Sequence, residues 1–356
     1  MNGEHRGVTP RHVPFCITFC MSPRTVVAFD VQSAERRVFE EALAPLGGVA
    51  FLRGTGLDGD RAAMLREAEA LICWFPDREL RPDDRAALGR IGLIQLLSAG
   101  ADHLDFAALP GGALVASNVG AYAAPMAEHV LGMVVALAKR LQRNHARLAA
   151  GVFELAQTLA LRGGVAGIIG LGGVGSACAR LLRPLGMRIY AINRSGRTDE
   201  QVEFAGTLAD LEHVLRAADV AVISVPLTRA TRGLIGAREL GWMKPQAILV
   251  NVARGPILDQ DDLFSHLVSH PEFSAGIDTW WDEPAGGQPF APSLPLASLP
   301  NVLGSPHNSG IVPGIMSDAV AAAAANVARF LRGEPVRGVQ EPADYPDAWP
   351  ASRIGE

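Results

Sequence analysis

The chain has 356 residues, 49% hydrophobic and 19% charged, with a formal net charge of −5. That length and apolar content call for two domains with sizeable cores. The weak negative balance, without a long basic run, argues against nucleic acid as the main partner, and no uninterrupted apolar stretch is long enough to span a membrane.

The first twenty residues contain an apolar segment too short and broken for a signal peptide, and Met21-Ser22-Pro23 reads as a plausible true start. Residues 1–21 are therefore expected to be a tail. The four cysteines, Cys16, Cys20, Cys73 and Cys178, do not form a disulfide framework. Cys16, Cys20 and His12 could be imagined on a metal, but no complete fourth-ligand pattern accompanies them, so no metal is expected. Unbonded thiols fit a reducing, cytoplasmic setting.

Thr25–Asp30 reads as the first strand, followed by a helix over Ser33–Leu46 with Phe39, Leu43 and Leu46 on one stripe. Strand and helix patterns then alternate: Val49–Arg53, Arg61–Ala68, Ala70–Trp74, Pro82–Leu88 and Leu93–Leu97. This is the pattern of a small parallel-sheet domain. Ser98-Ala99-Gly100-Ala101-Asp102 follows the last of these strands. Small residues there let backbone N–H groups converge on an anion; the plainer reading is a strand-to-helix turn with Asp102 as its cap. Leu114–Ser117 is another short strand. A single long helix is expected over Ala124–Ala149, with Met126, Val130, Met133, Val134, Leu137 and Leu141 on its apolar face. His129, near its start, is expected to pack or be hydrogen bonded rather than to act in catalysis.

The densest information lies in 165–195. Val165–Ile169 reads as a buried parallel strand. Gly170, Gly172 and Gly175 follow at G-x-G-x-x-G spacing, with Gly173 and Val174 between them, and a helix is expected over Ser176–Leu185. Met187–Ile192 is the next strand. In this strand–turn–helix setting the glycines permit the tight turn, the approach of a pyrophosphate and close helix–strand packing. The acid that would bind the adenosine ribose is missing. The strand ends in Asn193-Arg194-Ser195, with Arg197 beyond; an Arg can pair with a 2′-phosphate, so NADP is favoured over NAD. The bland alternative is that Arg194 and Arg197 simply face water.

Further strands are expected over Val220–Val225, ending near Pro226-Leu227-Thr228 and Thr231, over Ala247–Val252, ending in Ala253-Arg254-Gly255, and over Phe273–Asp278, ending in Thr279-Trp280-Trp281-Asp282-Glu283-Pro284. Val302–Gly304 delivers Ser305-Pro306-His307. A final alanine-rich helix over about 314–331 returns to the first domain, and Pro335–Glu356 reads as an irregular tail. Arg254, Glu283 and His307 thus follow three successive strands, whose ends converge on one crevice. A His can move a proton to or from a carbonyl oxygen, a Glu can orient its ring, and an Arg can grip a carboxylate with a planar fork. Spacing alone leaves plainer readings open: a loop cap for His307, a solvated turn for Glu283, a helix-end contact for Arg254.

The glycine fingerprint, Pro226-Leu227-Thr228 with Thr231, Asn251-Val252-Ala253-Arg254-Gly255, Asp278 with Glu283-Pro284, and Pro306-His307 together resemble the D-isomer-specific 2-hydroxyacid dehydrogenases, from about Thr25 to Leu331. The pattern is nearest to glyoxylate and hydroxypyruvate reductases. The resemblance implies a Rossmann cofactor domain (119–309) inserted in a flavodoxin-like substrate domain (22–118 and 310–340), both doubly wound parallel α/β sheets, with tails at 1–21 and 341–356. It implies Arg254 on the substrate carboxylate and carbonyl, His307 as general acid or base, Glu283 as its partner, and the backbone of Ala99, Gly100 and Ala101 as further carboxylate donors. Gly170, Gly172, Gly173, Val174, Gly175, Asn193, Arg194, Ser195, Arg197, Val225, Pro226, Thr231, Ala253 and Asp278 would meet the cofactor. A homodimer through the 124–149 region is implied as well. The sequence departs from the family at Asn193, at Asn308-Ser309-Gly310 and at Trp280-Trp281, whose rings either shape the pocket or pack beneath it. Two other functions stay open: oxidation of another small acid or oxyanion such as phosphite, and a cofactor-sensing regulator of the same fold.

Overall fold

Two parallel sheets organise the protein in a computed structural model that describes residues 23–53, 61–284 and 287–346. The expectations for His12, Cys16, Cys20 and the start at Met21 lie outside these residues. The first sheet contains β1 (Thr25–Val27), β2 (Val49–Phe51), β3 (Ala70–Cys73), β4 (Leu93–Leu96) and β5 (Leu114–Ala116) in the order β2-β1-β3-β4-β5. The second contains β6 (Val165–Ile169), β7 (Arg188–Ile192), β8 (Phe204–Gly206), β9 (Val220–Ile223), β10 (Ile248–Asn251), β11 (Ser274–Ile277) and β12 (Val302–Gly304), in the order β12-β11-β10-β9-β6-β7-β8.

The central strands β3, β4, β6, β9 and β10 are buried along their whole length. That is why they read as continuous apolar runs rather than alternations: helices cover both faces. In the first domain Phe39 and Leu43, fully buried on helix Ser33–Leu43, pack with Ala319, Val320, Ala323 and Val327 of helix Ile315–Leu331. Burying each of the two larger side chains contributes about 2 kcal/mol. In the second sheet the strand order reverses between β6 and β9, which opens a crevice at their carboxyl ends.

Four expectations need correction. Strand β8 was not anticipated between Arg197 and Leu208; it pairs with β7, Tyr190 opposite Phe204. The helix after the glycine turn starts at Gly173, not Ser176. The long helix is two, Ala123–Ala138 and Leu141–Ala149, broken at Arg140, whose φ is 51°. No Gly or Pro marks that break. Long-range contacts hold it instead: Arg140 donates to Glu272 at 2.5 Å and Lys139 Nζ to the Leu159 carbonyl at 2.6 Å.

The fourth correction concerns residues 335–346, which are docked rather than irregular. Val339 bridges Ala116 in antiparallel sense, and the Gln340 N–H donates to the Val115 carbonyl at 2.8 Å. The edge of β5 would otherwise leave these backbone groups unpaired. Pro342–Asp344 forms a 3-10 turn, and Tyr345 is buried, its ring stacked on Phe106 at 4.9 Å.

Candidate active site

The crevice at the carboxyl ends of β6, β7 and β9 has a volume of about 620 Å³ and is lined by Gly170, Gly172, Asn193, Arg194, Val225 and Thr231, among others. Gly170 has φ +106°, and a Cβ there would lie 2.7 Å from the Val225 nitrogen. A side chain on Gly175 would collide with the Gly170 carbonyl, whereas the space in front of Gly172 is open. Helix Gly173–Leu182 thus starts directly behind an open turn, its first N–H groups free of intrahelical partners. Thr231 closes the far wall: its hydroxyl donates to the Pro226 carbonyl at 2.6 Å and accepts from the Thr228 N–H at 2.8 Å. At the end of β7 the Asn193 side chain is spent on its own loop, accepting from the Ser195 and Gly196 N–H groups and donating to the Arg197 carbonyl. It holds that turn in shape and leaves Arg194 at the rim of the crevice.

Arg254, Glu283 and His307 follow β10, β11 and β12, which are neighbours in the sheet. His307 Nδ1 bonds Glu283 Oε2 at 2.8 Å, and Glu283 Oε1 accepts from the Trp280 N–H at 2.9 Å. The carboxylate is therefore fixed at both oxygens, and Nε2 is the ring nitrogen that Glu283 leaves unengaged. His307 stands at φ 51°, a left-handed conformation that costs about 1 kcal/mol for a residue with a Cβ. The surrounding loop holds it there. The His307 N–H donates to the Asp278 carbonyl, and the fully buried Asp278 carboxylate accepts from Ser305 Oγ at 2.6 Å and from the Asn308 and Ser309 N–H groups. His129 joins this network through Ser305 Oγ at 2.9 Å. Asp278, expected against the nicotinamide, thus has an observable task in shaping the His307 loop, and His129 packs there as expected.

Arg254 lies under the same strand ends. Gly255 explains how its loop fits: a Cβ there would come 2.5 Å from the Trp280 carbonyl carbon, so only glycine lets the Arg254 and Glu283 loops touch. Trp280 is buried, and its indole N–H donates to the Ser305 carbonyl at 2.8 Å; Trp281 donates to the Leu258 carbonyl at 2.9 Å. Both rings brace the loops that carry Arg254, Glu283 and His307 from beneath.

Across the cleft, Asp102 is the partner of Arg254. Nε donates to Asp102 Oδ2 at 3.1 Å, and Nη1 to the Ala253 carbonyl at 2.7 Å. The Asp102 carboxylate, with a smaller contribution from Glu283, raises the Arg254 guanidinium above its ordinary range. Gly100 lies against this pair, since a Cβ on it would be 3.0 Å from Arg254 Nη2. The Ala99–Ala101 backbone and Arg254 are therefore brought together from different domains. Asp102 does not cap a helix; Asp105 does that, accepting from the Ala107 N–H at 3.0 Å.

A family model, D-isomer specific 2-hydroxyacid dehydrogenase, NAD binding domain, matches residues 131–309. The glyoxylate reductase of Aeropyrum pernix is 31% identical over 279 residues, covering 76% of this chain and 82% of that protein. The chain belongs to the D-isomer specific 2-hydroxyacid dehydrogenase family. The D-3-phosphoglycerate dehydrogenase of Archaeoglobus fulgidus is 28% identical over 277 residues, 76% of this chain and 50% of that one. Among solved structures, a D-isomer specific 2-hydroxyacid dehydrogenase from Xanthobacter autotrophicus Py2, in complex with NADPH and MES, superposes with a TM-score of 0.75 at 26% identity, covering 90% of this chain and 98% of that one.

This 2-hydroxyacid dehydrogenase is an NAD(P)-dependent oxidoreductase with a Rossmann cofactor domain. Its own residues fit a dinucleotide: an open turn at Gly172, a helix start behind it and a large crevice beside both. Two site residues have no local signal in the sequence. Asp102 becomes legible only once the domains face each other, and Asp344, 150 residues from Arg194, lines the same crevice.

Proposed function

We propose that the enzyme reduces a small 2-keto acid of the glyoxylate or hydroxypyruvate class to the D-2-hydroxy acid, preferring NADPH to NADH. The observation that carries this reading is the 2.8 Å His307–Glu283 pair, which bridges the ends of β12 and β11 beside the end of β10 that carries Arg254. Glu283 fixes the tautomer of His307, so Nε2 can hand a proton to the substrate carbonyl oxygen as negative charge develops on it. Arg254 and the Ala99–Ala101 backbone grip the carboxylate and orient the carbonyl. When bound, a nicotinamide supplies the hydride. The first domain, residues 22–118 and 310–340, takes the acid, and residues 119–309 the cofactor. Arg194 and Ser195 at the end of β7, with Arg197, support the NADPH preference, because a guanidinium and a hydroxyl suit a 2′-phosphate.

A homodimer through the two helices of 123–149 is supported by apolar side chains left in water around them: Leu141, Leu148, Phe153 (83% exposed) and Leu155 (92%). The buried thiols Cys73 and Cys178 support a reducing, cytoplasmic location. No helix among the described residues is long and apolar enough to cross a membrane.

The test is a steady-state panel of glyoxylate, hydroxypyruvate, pyruvate and bulkier keto acids, each with NADPH and NADH. The two smallest polar acids with NADPH should give the highest kcat/KM. Oxidation of neither cofactor, or a clear preference for bulky acids, would remove the substrate assignment.

A further inference from the structure

We infer that Asp344, laid over the cofactor crevice by the C-terminal segment, is a cofactor-discriminating residue: it holds Arg194 and opposes a 2′-phosphate. This rests on the reading that the end of β7 receives the adenosine ribose.

The segment is anchored from both sides. On the first domain Val339 bridges Ala116, and Tyr345 stacks on Phe106 while its hydroxyl donates to Gln340 Oε1 at 2.6 Å. On the cofactor domain the Arg229 N–H donates to the Asp344 carbonyl at 2.8 Å, and Arg229 Nε donates to the Tyr345 carbonyl at 3.1 Å. Between these anchors the Asp344 side chain turns to the crevice, where Arg194 Nη2 donates to its Oδ2 at 2.7 Å. Asp344 lines the same cavity as Gly172, Asn193, Arg194 and Ser195.

The chemistry of the pocket follows from that placement. The end of β7 has no carboxylate, and Asn193 is committed to its own turn. A carboxylate reaches the pocket nevertheless, from the far end of the chain. It can accept from ribose hydroxyls, as a strand-end acid would. Toward a 2′-phosphate it acts twice, by occupying the guanidinium that would pair with the phosphate and by repelling its charge. The Arg194–Asp344 pair is largely exposed, with side chains 75% and 37% accessible, so it is weak enough for a phosphate dianion to displace. Asp344 therefore tempers the choice between cofactors rather than forbidding one.

The experiment measures NADPH and NADH dissociation constants on the full-length protein at low ionic strength, by energy transfer from tryptophan to the nicotinamide. The proteins are wild type, Asp344→Asn, Arg194→Ser and the double variant. Asp344→Asn should tighten NADPH about tenfold and leave NADH unchanged or slightly weaker. In the Arg194→Ser background the same change should move NADPH clearly less, because the pairing is already gone. Asp344→Glu keeps the charge and should keep the wild-type ratio. A ratio unmoved by Asp344→Asn, or an equal shift for both cofactors, overturns the proposal. Binding is read without substrate, so failure of the keto-acid assignment does not touch it. A wild-type preference for NADH would remove only the NADPH preference, since the proposal predicts the direction of the shift.

Discussion

His307→Ala is expected to lower kcat by about a thousandfold while NADPH affinity changes by less than about twofold. On the proposed reduction the imidazole is the proton donor of the Arg254–Glu283–His307 cluster, because the Glu283 carboxylate is engaged at both oxygens and the guanidinium has no acceptor site. On that reading, the alkoxide that develops in the variant would have to take its proton from water. Alanine at a φ of 51° also strains the loop, so a loss of activity could come from a displaced backbone rather than a missing base. His307→Asn separates the two: asparagine tolerates the left-handed conformation but cannot transfer a proton, and it should lose as much. Glu283→Gln should cost about tenfold or more, since an amide can still accept from Nδ1 but brings no charge. The check is single-turnover kinetics beside a thermal melt of each variant. Near-normal turnover in both His307 variants would take the imidazole out of the reaction.

What could be read from the sequence divides by distance along the chain. The glycine turn was legible because its requirements are local: a strand, a φ of +106° at Gly170, and a helix within a few residues. The trio was legible because β10, β11 and β12 wind in one direction after the strand order reverses, so their carboxyl ends lie side by side. Of the two readings of residues 98–102, the one with Asp102 as a cap fails because its partner lies 152 residues away on the other domain, and nothing around it announces an ion pair. Asp344 was misread as tail for the same reason, made worse by a proline-containing segment whose docking depends on the open edge of β5. The helix break at Arg140 is the converse case. Local propensity favoured continuation, and contacts with Glu272 and the Leu159 carbonyl overrode it. Asp278 shows a subtler limit: its presence was noted, but the buried network to Ser305, Asn308 and Ser309 that shapes the His307 loop exists only in three dimensions.

Arg254→Lys is expected to lower kcat/KM for small 2-keto acids by about a hundredfold, even though the charge is kept. The guanidinium is not free to swing. Asp102 takes Nε, the Ala253 carbonyl takes Nη1, and Nη2 is left beside Gly100. That arrangement fixes the plane of the fork before substrate arrives, and a charge-assisted bond so aimed is worth about 2 kcal/mol or more. An ammonium is a point charge that can satisfy Asp102 or the substrate carboxylate, but it lacks the geometry to serve both. Arg254→Ala should do something further: it takes from Asp102, 4% exposed, its hydrogen-bonded ion-pair partner and leaves the Arg232 charge to act on the carboxylate alone, which should cost about 1–3 kcal/mol of stability. Asp102→Asn tests the division of labour. It removes the charge that steadies the guanidinium but leaves the guanidinium in place, so KM for the keto acid should rise more than kcat falls, and NADPH affinity should hold. If Asp102→Asn instead lowers kcat as far as Arg254→Lys does with KM unchanged, Asp102 acts on the reacting atoms themselves and not through the arginine.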